Sequence, residues 1–286
     1  MKVLRYFLFQ SSLITIALIK VASAHGDIPH GAETAEPSFP IFVALGAAII
    51  SGVFPIVFGF LVPHWLRQAD TLPFSLKENL EPLMRGMSFG FLLFLFYDFG
   101  VLSSFAGLNS SDLVLRIILP LILFSGLVLI DLRALGREGE NIWLFIWLFG
   151  IAFHSTAEGI IMGANFLLPE PDVLRFFPAI SFIFHKFAEG FIAGVLLTDK
   201  KTTEKGIIIK GTIASSFILI GVLGGYYNIQ TFGRYISYLY TITLVTITST
   251  LFYLGQRRNS SEDKTFFRGS ILGILLLYLF TILHEV

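Results

Sequence analysis

The chain has 286 residues, of which 55% are hydrophobic and 14% charged, with mean hydropathy +0.78. A soluble domain carries about a quarter charged residues, so the composition points to lipid rather than water as the main solvent. Twenty Lys and Arg balance twenty Asp and Glu, which argues against nucleic acid as a partner. Cysteine is absent, so disulfides and thiolate metal sites are excluded.

Residues 1–24 have the pattern of a secretory signal peptide. Lys2 and Arg5 form the basic start, an apolar run extends from Phe7 to Ile19, and Ala22-Ser23-Ala24 resembles a cleavage site. The alternative is an uncleaved anchor helix, with Lys20 near its end; both place residue 25 outside the membrane. Residues 25–39 form a short polar extracytoplasmic tail. His25, Asp27 and His30 there could gather cations near an entrance, although a solvated tail with no site is the simpler reading, as it is for His284 and Glu285.

Residues 40–286 then form one transmembrane domain. Eight apolar blocks of roughly 20 residues, the length a helix needs to cross hydrocarbon, lie near 40–62, 82–102, 113–132, 142–168, 173–197, 208–228, 235–254 and 268–284. Lys and Arg collect in alternate connections: Arg67, Lys77 and Arg85; Arg133 and Arg137; Lys200, Lys201, Lys205 and Lys210; Arg257, Arg258, Lys264 and Arg268. These connections are assigned to the cytoplasm, and both mature termini to the outside of the plasma (inner) membrane. The predicted fold class is an all-α polytopic membrane protein.

Phe-His-Ser-Thr-Ala-Glu-Gly in the fourth span and Phe-His-Lys-Phe-Ala-Glu-Gly in the fifth repeat one pattern. His154 and Glu158 share a helix face, as do His185 and Glu189, because residues four apart lie about one turn from each other. Adjacent spans with a short link run antiparallel, so the repeat implies a pseudo-two-fold axis in the membrane plane, as in inverted-repeat transporters with sites near the midplane. An ionised carboxylate at that depth needs a partner or a wet cavity. A divalent cation neutralises two carboxylates, and imidazole and carboxylate are ordinary ligands for Zn²⁺ and its first-row relatives. Gly159 and Gly163, and likewise Gly190 and Gly194, have the spacing that lets membrane helices approach closely.

These two segments resemble the signature helices of the ZIP (Zrt/Irt-like) divalent metal transporters. The eight-span arrangement with both termini outside resembles that family along the whole mature chain. The resemblance implies uptake of a divalent transition metal into the cytoplasm, Zn²⁺ first and Fe²⁺, Mn²⁺, Co²⁺ or Cd²⁺ as other cargo. Membrane lipid surrounds the chain, a homodimer and elevator-like alternation are implied, and no organic cofactor is expected. The chain departs from the family where Ala157 and Ala188 replace the usual Pro, Ser155 replaces the usual Asn, and Lys186 stands where many members carry an acidic residue.

Four further residues are candidates for the pathway. Asp98 lies in the outer half of the second span, where it attracts an entering cation or caps the helix end. Met162, four after Glu158, offers a soft ligand or simple packing. Ser155 and Ser181 could bond within the pore, and Ser181 could instead satisfy its own backbone. Lys186 is expected to reach Glu158 or Glu189 and to act as a tethered cation where a second metal would otherwise bind. The alternative function is an intramembrane metal-dependent hydrolase using the same His and Glu side chains.

Overall fold

The computed structural model describes residues 39–69, 73–102, 140–167, 180–197, 202–233, 235–256 and 263–285. Outside these residues fall the signal peptide, all but the end of the polar tail, and the third span near 113–132. Every element among the described residues is a helix: α1 Ile41–Gln68, α2 Phe74–Leu102, α3 Glu140–Asn165, α4 Ile180–Leu196, α5 Glu204–Gly233, α6 Ile236–Gln256 and α7 Asp263–Glu285. Four stretches among them are long and apolar enough to cross a membrane: Ile41–Gln68, Ile142–Asn165, Glu204–Gly233 and Tyr238–Gln256.

Local chemistry explains the irregular turns. Pro55 has no N–H for the carbonyl four residues back, and its ring would crowd that carbonyl. The helix widens just before it into a π turn at Ile49–Val53, where Phe54 N–H donates to Ile49 O. In α5 the helix Glu204–Ser215 starts on Thr203, whose hydroxyl accepts from Gly206 N at 3.2 Å. A turn at Ser216 joins it to Phe217–Gly233. By contrast α3 and α4 run unbroken through the paired motif, as suits Ala157 and Ala188 in place of proline.

Glycines set the packing. A Cβ on Gly159 would overlap the carbonyl oxygen of Ile218, and one on Gly163 that of Val222, so α3 lies backbone to backbone on α5. Gly190 meets Ile56 and Phe60, and Gly194 meets Phe60 and Pro63, so α4 lies on α1 in the same manner. The numbers rise together in both pairs, so each pair is parallel. Gly86 and Gly90 of α2 pair with Phe266, Gly269 and Ser270 of α7 in a third parallel pair. Without a hydrophobic drive between helices in lipid, close backbone contact of this kind is a main source of association.

The result is two groups of helices, α1 with α3, α4 and α5, and α2 with α7, with α6 packed across both on α3 and α2. The groups also meet where α4 packs on α2 and α7. Trp147 and Trp143 of α3, Phe91, Leu92 and Leu95 of α2 and Ile247 of α6 share the apolar core at this junction.

Candidate metal centre

Next to this junction, α3 and α4 carry a cluster of charge. Their contact runs in opposite senses, from Trp147 against Glu189 to His154 against His185, with Lys186 reaching back to Glu158, so the two helices are antiparallel as the repeat predicts. His154 Nε2 lies 2.9 Å from Glu158 Oε1 and 3.1 Å from Glu189 Oε1. His185 Nε2 lies 3.0 Å from Glu189 Oε1, 4.0 Å from Glu158 Oε1 and 3.3 Å from His154 Nε2. One donor atom from each of the four residues falls within 4.8 Å of all the others.

These separations fit one small cation. With bonds of about 2.0–2.1 Å, the ligands of tetrahedral Zn²⁺ sit roughly 3.3–3.4 Å from one another. Five of the six donor separations run from 2.9 to 4.0 Å, which brackets that edge. The donor set, two imidazole nitrogens and two carboxylate oxygens, suits first-row divalent ions.

Lys186 completes the cluster. Its side chain is fully buried, and its ammonium pairs with Glu158 Oε2 and with Glu189 at 2.8 Å to Oε1 and 3.1 Å to Oε2. With neutral imidazoles, the two carboxylates and one ammonium leave a net single negative charge. Burying such charges is tolerable only when each is paired, and here they pair with one another.

No family model, curated protein or solved structure matches this chain. Its chemistry therefore rests on its own residues.

The other candidates divide. Met162 is buried in an apolar core with Ala44, Ala47, Phe166, Ile218 and Val222. Ser155 is fully buried beside His154, and its hydroxyl has no hydrogen-bond partner among the described residues. Asp98 lies on α2, but its side chain, like that of Ser181, is outside the described residues.

Several neighbours were not singled out by sequence. Trp147 Nε1 donates to the backbone carbonyl of Glu189 at 2.9 Å, tying α3 to α4 beside the centre. Trp147 precedes His154 by seven residues, two turns along the same face, and that spacing could have marked it. The Tyr240 ring lies near His154, tilted by 45° with ring centroids 5.9 Å apart. Beside His154 and Glu189 a small cavity opens between the two helix groups, walled by Leu95 of α2, Trp147 of α3 and Thr243 and Thr246 of α6. Both hydroxyls return to carbonyls one turn back, Thr243 to Leu239 O at 2.9 Å and Thr246 to Ile242 O at 3.0 Å.

Proposed function

We propose that this chain is a ZIP-type transporter that carries a divalent transition metal, Zn²⁺ first, across the plasma (inner) membrane into the cytoplasm. The observation that carries the reading is the convergence of His154, Glu158, His185 and Glu189, two from each of two antiparallel helices, into one four-donor cluster in which His154 and Glu189 are buried and Glu158 and His185 partly so. The eight-span arrangement with both termini outside belongs to the same proposal.

Imidazole and carboxylate donors replace the water shell of the ion, and the paired carboxylates offset its charge inside hydrocarbon. The cluster is carried by α3 and α4 alone and borders a cavity walled on its other side by α2 and α6, so a shift of α3 and α4 against those helices would change which side reaches the ion. That supports alternation around a fixed site. Hydrolysis is less well supported, because a catalytic zinc keeps an open position for water, whereas four side chains here suffice to fill a tetrahedron.

Cells expressing the chain, supplied in turn with Zn²⁺, Fe²⁺, Mn²⁺, Co²⁺ and Cd²⁺, test the reading. Accumulation of at least one ion above cells carrying the empty vector is expected. No accumulation of any of the five, with the protein present in the membrane, would count against transport.

A further inference from the structure

Both carboxylates of the centre are shared between the imidazoles and one ammonium. Oε1 of Glu158 and of Glu189 lie against imidazole nitrogens, while Lys186 takes Oε2 of Glu158 and spans both oxygens of Glu189, 2.8 Å from Oε1 and 3.1 Å from Oε2. The ammonium has little freedom to leave. Its side chain is 0% exposed, its Nζ lies 5.7 Å from the Phe182 ring centroid, and withdrawing it would strand an unpaired charge in an apolar interior.

A carboxylate with one free oxygen gives one bond to a metal, and with both free it can give two. Resting on the metal-transport reading of this centre, we infer that Lys186 sets the coordination number of the cargo. By holding both Oε2 atoms it keeps each carboxylate monodentate, and the centre offers two nitrogens and two oxygens. Such a set suits Zn²⁺ and Co²⁺ in four-coordinate form. It turns away Ca²⁺, which takes six to eight oxygens, and Mn²⁺ and Mg²⁺, which favour octahedral oxygen sites. Lys186 is thus a specificity residue that binds no metal itself.

The test uses Co²⁺ as the probe in detergent-purified full-length protein. Four-coordinate Co²⁺ absorbs visible light strongly and six-coordinate Co²⁺ weakly, so the spectrum reports coordination directly. Wild type and Lys186→Arg, which keeps the cation, are expected to give the strong band. Lys186→Met is expected to give the weak band. Relative to Zn²⁺, the Ca²⁺ needed to displace half of its Co²⁺ should fall by about tenfold, because freed oxygens suit the larger coordination shell. A weak band in wild type overturns the inference whatever the variants do. So does a strong band with an unchanged Ca²⁺ to Zn²⁺ ratio in Lys186→Met. A wild type that binds no Co²⁺ removes the metal reading and this inference together. Strong four-coordinate binding without any flux would remove transport and leave the role of Lys186 standing.

Discussion

His154 and Glu189 are almost fully buried, and each touches more than one partner in the cluster. On the proposed reading, truncating one of the four removes a ligand of the metal, and it also leaves its neighbours under-compensated. His154→Ala, Glu158→Ala, His185→Ala and Glu189→Ala should each lower uptake by about tenfold or more with the protein still in the membrane, a factor of ten corresponding to roughly 1.4 kcal/mol. Near-normal uptake by any two of them would show that the half-motifs do not share one site. Protons compete for the same atoms, since imidazole must be neutral and carboxylate ionised to bind metal. Binding affinity should therefore fall between about pH 7.5 and pH 5, across the usual imidazole range near 6.5. Equilibrium binding that is flat over that interval would argue against imidazole ligands. The four clustered residues were legible in the sequence because two His-x-x-x-Glu repeats stand out against apolar neighbours. Thr243 and Thr246 were not, because hydroxyls that bond their own helix look like ordinary membrane threonines until the fold brings α6 against α3.

Among the helices, glycine and one arginine fix the positions of α3 and α4. Gly159→Leu and Gly190→Leu should each separate a parallel pair and cost several kcal/mol by overpacking, read as loss of monodisperse protein or a lower melting temperature. Gly46→Ala is the control and should be close to neutral, since no atom lies within 4 Å of its added Cβ. Arg67, in the last turn of α1, donates to the carbonyls of Gly194, Val195 and Leu197 at the end of α4, at 2.8, 3.1 and 2.9 Å. Its Nε also pairs with Glu81 of α2 at 3.0 Å. A lysine has no planar fork to span these acceptors. Arg67→Lys should therefore melt well below wild type, while Glu81→Gln, which alters only half-exposed ion pairs with Arg67 and Arg85, should shift little. Equal shifts would mean that the carbonyl contacts carry no weight. Apolar block length located these helices but not their ends. α2 begins at Phe74, ahead of the expected 82, because Lys77, Glu78 and Asn79 lie on a helix that hydropathy cannot see.

At the scale of the whole molecule, the paired motif works as the contact between two helix pairs. In each, the glycines after the motif glutamate seat the helix on its parallel partner, α3 on α5 and α4 on α1. The motif face then turns the His and Glu side chains toward each other, at the border with α2 and α6. The antiparallel pairing of α3 and α4 was legible because the repeat falls on neighbouring spans joined by a short link. The division into two groups was not, because it depends on pairings such as α2 with α7 that lie far apart in sequence. The most direct test is Zn²⁺ flux into proteoliposomes holding purified protein, with metal outside and a fluorescent chelator inside. Wild type should fill the vesicles with saturable kinetics, while a Glu158→Ala, Glu189→Ala double variant should match protein-free vesicles. Saturable flux that survives in the double variant would contradict the account, as would wild-type vesicles that take up no more metal than empty lipid.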